Sequence, residues 1–144
     1  MAKLTLDEWI ARLKKNRSFN YNAAAVVEIP AQVGDWEEYP AWINPRLKAA
    51  LEKRGFQKLY THQAQAVRFV RNGQDVVLVT PTASGKTLCY NLPVLQSILD
   101  EPETRALYLF PTKALAQDQM HEVHSLIADL QADIKTFTYD GDTP

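Results

Sequence analysis

Thr80-Pro-Thr-Ala-Ser-Gly-Lys-Thr87 gathers a lysine, two hydroxyls and a glycine into one short loop. An apolar run, Asp75-Val-Val-Leu-Val-Thr80, leads into it, and a helix-compatible segment, Lys86-Thr-Leu-Cys-Tyr-Asn-Leu92, leads out. Gly-Lys-Thr at a strand-to-helix junction is the context a phosphate-binding loop requires. Successive backbone N–H groups form a concave nest there, and the helix N-terminus adds its positive dipole end. The chemistry expected is binding of a triphosphate through Thr82, Ala83, Ser84 and Gly85. Lys86 would reach the β and γ phosphates, and the Thr87 hydroxyl would join the shell of a Mg²⁺ ion. The loop departs from the general pattern G-x-x-x-x-G-K-[ST] at its first position, where Thr80 stands in place of glycine.

The elements that must hold this loop can be read from periodicity and punctuation. Strands are expected over residues 75–80, 105–110 and, more weakly, 134–139. Helices separate them. One starts at Lys86 and carries Leu88, Leu92, Leu95, Ile98 and Leu99, with Pro93 expected to kink it. The next starts near Lys113 and carries Leu115, Met120, Val123, Leu126, Ile127 and Leu130 close to a 3.6 period. Strands alternating with helices imply an α/β domain: a parallel sheet with helices on both faces. Upstream, Asn44-Pro45 opens a helix that Gly55 stops, with Leu47, Ala50 and Leu51 inward. A further helix runs from about Thr61 to Asn72, with Ala64, Val67 and Val70 packing. Near the start, Thr5 and Glu8 have capping-box spacing, and Leu6, Trp9, Ile10 and Leu13 share one face. That helix is expected to fade near Asn16. Residues 18–39 show no sustained period, so residues 1–43 read as an N-terminal helix plus an extended linker, ahead of a domain over 44–144.

The totals fit one globular domain: 144 residues, 46% hydrophobic and 23% charged, with net charge −1. Overall charge gives no case for nucleic-acid binding, but its distribution is uneven. Residues 46–71 hold seven basic side chains against one acid, and residues 72–144 hold four against ten. Cys89 is the single cysteine, which excludes a disulfide framework and a cysteine-rich metal site. No run approaches a membrane span. Lys14, Lys15 and Arg17 interrupt any signal-peptide core, so a cytoplasmic protein is expected. His121 and His124 are three apart on a helix, but no third ligand is near, so they read as surface residues. Trp36, Tyr39 and Trp42 read as packing for the linker.

The order of motifs resembles the DEAD/DEAH-box helicases of superfamily two. Gly55-Phe-Gln-Lys-Leu-Tyr-Thr-His-Gln63 is similar to the Q motif, Thr80–Thr87 to motif I, and Pro111-Thr-Lys-Ala-Leu-Ala-Gln117 to motif Ia. Tyr139-Asp-Gly-Asp142 falls where the family has a loop after the third strand. The resemblance covers roughly residues 40–144. The wording of Thr80–Leu92 and Tyr139–Pro144 is similar to a RecQ-related DNA-repair branch, 3′-to-5′ translocases with a zinc-binding C-terminal region.

The resemblance implies an incomplete first RecA-like P-loop NTPase domain with a mostly helical N-terminal extension. Its cofactors would be ATP and Mg²⁺. Gln63 would read the adenine edge, since an amide donates and accepts at once, and Phe56 would pack near the base. Pro111, Thr112 and Lys113 would contact a nucleic-acid backbone, DNA rather than RNA, with Asp140 and Gly141 beside them. The family's Asp-Glu motif should end a further apolar strand. Asp7-Glu8 and Asp100-Glu101 do not follow buried strands and are rejected for that role. The expectation is therefore an N-terminal fragment of an ATP-dependent helicase that does not turn ATP over alone. The alternatives are another P-loop ATPase, such as a kinase or transport ATPase, and a catalytically inactive nucleotide- or nucleic-acid-binding module.

Overall fold

The computed structural model describes residues 4–27, 29–30, 33–81, 84–141 and 143. The chain divides into two compact units, residues 1–33 and 34–144.

In the first unit, α1 (Leu6–Lys15) begins at a capping box. Glu8 N donates to Thr5 Oγ1 at 3.3 Å, and Thr5 N donates to Glu8 Oε2 at 2.9 Å. Two orphan amides are thereby satisfied, as the Thr/Glu spacing predicts. The helix ends where expected, but the chain does not stay irregular. Asn16 closes α1 and caps a second helix, α2 (Arg17–Asn22), with its Oδ1 accepting from Phe19 N at 3.1 Å. A six-residue helix offers too few apolar positions to show a period, which is why the sequence hides it.

The second unit starts with β1 (Trp36–Glu37), paired antiparallel with β2 (Leu59–Tyr60). Between them lies α3 (Pro45–Lys53). Asn44 Oδ1 accepts from Arg46 N at 2.9 Å, Pro45 takes the first helical position, and Gly55 at φ 93° turns the chain away. Then come α4 (Thr61–Arg71), α5 (Lys86–Asp100) and α6 (Lys113–Leu130). Pro93 lies inside α5, buried, and the helix continues through it for two more turns. Thr112 caps α6 through Leu115 N at 3.3 Å.

These four helices share one core. Leu47 and Leu51 of α3, Val67 of α4, Leu92 and Leu95 of α5, and Leu126 of α6 are all buried. Tyr39 and Ile43 join them, so the segment before α3 packs into this unit. On α4 the inward residues include Gln63, Ala64, Ala66 and Val67, whereas Val70 is exposed. Polar ties close the α3–α6 contact. Arg46 Nη2 donates to the carbonyl of Leu130 at 2.6 Å, and Arg54 Nε to Asp129 Oδ2 at 2.6 Å. The guanidinium of Arg54, with Lys53 beside it, holds the Asp129 carboxyl below its ordinary range.

The expected parallel sheet is where sequence and structure part. Among the described residues no strand pairing joins 75–80, 105–110 or 134–139. Over residues 76–80 and 107–110 the side chains still alternate. Val76 and Leu78 are half-buried, while Val77 and Val79 are 88% and 90% exposed. Leu107 and Leu109 are exposed on either side of half-buried Tyr108 in the same way, whereas Phe137, Thr138 and Tyr139 are all exposed. Alternation fixes which face of a segment turns inward. A ladder also needs a partner along each edge, and periodicity carries no information about that partner. These segments are lined on one side and uncovered on the other, not covered on both faces.

No helix among the described residues is long and apolar enough to cross a membrane.

Candidate nucleotide site and nucleic-acid groove

Gly85 is the N-cap of α5, with φ 75° in the left-handed region. α1, α2, α3 and α6 each start under a threonine or asparagine side chain that caps a backbone amide. α5 has no such side-chain cap. Leu88 N donates to the Gly85 carbonyl at 3.2 Å, and no side chain caps the first turn, so its N-terminal amides and dipole are turned toward the loop, which suits an external anion. The start of α5 thus fits a phosphate.

Lys86 folds back over the loop. Its Nζ donates to the carbonyls of Thr80 (2.9 Å) and Pro81 (2.6 Å), and lies within reach of Thr80 Oγ1 and Ser84 Oγ. Thr80 Oγ1 also sits 2.6 Å from Ser84 Oγ. The threonine in the first glycine position thus closes the loop by a hydroxyl contact. An ammonium surrounded by oxygens is placed where a phosphate would take over those contacts. Thr87 stands on the first turn of α5. Thr82 and Ala83, also expected here, lie outside the described residues.

Gln63 reaches the same loop from α4. It is 4% exposed. Its Oε1 accepts from Tyr60 N at 2.9 Å, and its Nε2 donates to the Gly85 carbonyl at 2.9 Å. A Cβ on Gly85 would stand 2.5 Å from that Nε2. One lone pair and one N–H of the amide remain for a base edge. Phe56 lies after α3, 44% exposed, and its carbonyl accepts from Tyr39 Oη at 2.7 Å. Burial pushes the Tyr39 phenol up to about 12, so it remains a donor.

Three neighbours escaped the sequence reading. His62 Nε2 lies 2.9 Å from the Ser84 carbonyl. Its ring stacks on Tyr60 at 5.7 Å, and Tyr60 stacks on Trp36 at 4.0 Å. The Tyr90 hydroxyl lies 3.4 Å from Thr87 Oγ1. His62 adjoins Gln63, and Tyr90 lies one turn past Thr87, so local spacing was the available signal. Cys89, in the same turn, is buried, and burial pushes its thiol up and away from reactivity.

Pro111, Thr112, Lys113, Asp140 and Gly141 all line one open groove of about 1060 Å³ between α5, α6 and the segments on either side of α6. Thr112 Oγ1 accepts from Leu115 N, which leaves its proton to donate outward. Lys113 Nζ is 3.7 Å from Asp140 Oδ1. The two stretches meet here, with a carboxylate partly offsetting the lysine. Among the described residues no group of His, Cys, Asp or Glu suits a metal ion.

Comparisons with known proteins agree with this arrangement. The family model for the DEAD/DEAH box helicase matches residues 60–144. The uncharacterized ATP-dependent helicase YprA of Bacillus subtilis is 54% identical over 143 residues, covering 99% of this chain and 19% of that protein. The ATP-dependent helicase hrq1 of Schizosaccharomyces pombe is 40% identical over 100 residues, covering 68% and 9%. A crystal structure of the DUF1998 helicase MrfA bound to DNA and AMPPNP superposes with a TM-score of 0.79 at 53% identity, covering 98% of this chain and 19% of that one. The chain thus spans about a fifth of the length of YprA and MrfA. With the matched region reaching from the start of α4 through the phosphate loop to the groove, the chain belongs to the DEAD/DEAH box helicase family.

Proposed function

We propose that this chain is the nucleotide-binding part of an ATP-dependent helicase that moves along DNA. The observation that carries this reading is the convergence of Gln63, Gly85 and Lys86 on the uncapped start of α5. In this reading Lys86 exchanges its loop carbonyls for the β and γ phosphates. Thr87 supplies a hydroxyl to Mg²⁺, and the amides from Ser84 to Thr87 bind the remaining phosphate oxygens. Gln63 offers its second lone pair and N–H to adenine. Thr112 and Lys113 hold a phosphate of the nucleic-acid backbone at the start of α6. The similarity to MrfA, a helicase crystallised with DNA and AMPPNP, supports DNA as the track and an adenine nucleotide as the ligand.

We assign binding rather than turnover to these 144 residues. Hydrolysis also needs a carboxylate pair to hold the cation and orient water. Asp7 and Glu8 sit in the first turn of α1, and Asp100 and Glu101 at the end of α5, so neither pair follows a buried strand. The finer fold belongs to the same proposal: residues 75–80, 105–110 and 134–139 become parallel strands of a RecA-like sheet once their edges are paired. So do the division at residue 43/44, the RecQ-related repair branch and a cytoplasmic setting.

The test is ATP binding with Mg²⁺, compared with GTP, for the wild type, Lys86→Ala and Gln63→Ala. We expect ATP-selective binding that Lys86→Ala weakens at least about tenfold, the loss of one charge-assisted contact. Gln63→Ala should reduce the preference for ATP over GTP. Equal affinity for both nucleotides in the wild type would remove Gln63 from the base-reading role.

A further inference from the structure

Tyr90 stands between the two halves of the site. Its hydroxyl donates to Gln119 Oε1 at 2.6 Å and lies 3.4 Å from Thr87 Oγ1. Thr87 belongs to the phosphate end. Gln119 belongs to α6, the helix that Thr112 and Lys113 open, and it lines the groove. The ring of Tyr90 is held in place. It packs edge-on against Tyr108, with centroids 5.9 Å apart and planes at 71°. The Tyr108 phenol in turn donates to Asn91 Oδ1 at 3.0 Å, and Asn91 is buried.

We propose that Tyr90 is a positioning residue that couples the nucleotide site to the nucleic-acid groove. The inference rests on the proposed function and adds a route between its two ends. A phenol has one proton and two lone pairs. The structure aims that proton at two acceptors, Gln119 Oε1 at 2.6 Å and Thr87 Oγ1 at 3.4 Å. A cation at Thr87 Oγ1 would take up the lone pair that the phenol otherwise reaches, which commits the proton to Gln119 alone and strengthens that bond. Thr87, Tyr90 and Gln119 thus form one chain of contacts, in which each bond polarises the next. Gln119 Nε2 continues it toward Asp118 Oδ2 at 3.4 Å. Occupation of the phosphate end thereby favours one orientation of the Gln119 amide on the groove wall. By thermodynamic reciprocity, a strand in the groove that prefers that amide orientation tightens the nucleotide site.

Packing alone does not need the oxygen. A phenylalanine would fill the same space against Tyr108, so Tyr90→Phe isolates the hydroxyl from the ring.

The experiment measures the affinity of the intact protein for a fluorescent single-stranded oligodeoxynucleotide, with and without AMPPNP and Mg²⁺, and takes the ratio as the coupling. It is run on the wild type, Tyr90→Phe, Gln119→Leu and the double variant. We expect each single variant to lower the ratio by about three- to tenfold, the loss of one well-formed hydrogen bond. The double variant should lower it no further, because both changes break one chain. A merely structural role would shift the melting temperature and leave the ratio intact. An unchanged ratio in Tyr90→Phe, or losses that add in the double variant, would overturn the inference. A wild type that binds both ligands with a ratio of one would overturn it too, while leaving the binding sites standing. A wild type that binds no nucleotide would overturn the proposed function itself, and the inference with it.

Discussion

Gly85 answers to two constraints at once. Its φ of 75° is costly for a residue with a side chain, and its missing Cβ leaves room for the Gln63 amide. Gly85→Ala should therefore lower stability by about 1–2 kcal/mol from the left-handed backbone alone, and displace Gln63 from the loop carbonyl. The expected outcome is a lower melting temperature together with loss of ATP preference over GTP. Retained preference in a folded Gly85→Ala protein would separate Gln63 from the loop. At this scale the sequence was most readable where chemistry is written in adjacent letters: Gly85, Lys86 and Thr87 declare themselves by spacing. Thr80 shows its place in the loop by the same spacing but not its hydroxyl contact with Ser84, and the contacts of His62 and Tyr90 are not written there either. Tyr90 meets Gln119 across 29 residues and His62 meets Ser84 across 22, and nothing local announces either partner.

At the scale of elements, the groove sets a lysine and an aspartate at its mouth. Lys113 adds positive charge at the start of α6, where the dipole already favours an anion, and Asp140 opposes both. Lys113→Ala should weaken oligodeoxynucleotide binding and reduce the slope of log affinity against log salt by about 1. Asp140→Asn should strengthen binding at low salt. Titrations at several salt concentrations give both results, and an unaltered slope in Lys113→Ala would place the strand elsewhere. The helices themselves were legible because their ends carry their own chemistry. Asn44-Pro45, Thr5 with Glu8, and Thr112 each cap a helix start, and Gly55 and Gly73 turn left-handed after α3 and α4. α2 was missed because it is too short to show a period. The extended segments were legible in place but not in cover: cover on both faces was expected and one face is open, because pairing is a property of the neighbour.

For the whole of the second unit, the helical core is well closed while the extended segments are open on one side. Val77, Val79, Leu107, Leu109, Phe137 and Tyr139 all face outward in large part. Apolar extended segments with unpaired edges invite other chains to pair with them. We expect the 144-residue protein to self-associate as concentration rises, read by light scattering, and to melt over a broad range. A monodisperse sample with a sharp, cooperative transition would contradict this. The same openness also leaves a signature in time. Amides within α3 to α6 are tied to carbonyls of their own helices, whereas those of residues 75–80, 105–110 and 134–139 have no ladder to hold them. In heavy water the helices should keep their protons while these segments trade theirs within the first instants. The extended segments that carry the phosphate loop and the groove would then be the last parts of this fold to become rigid.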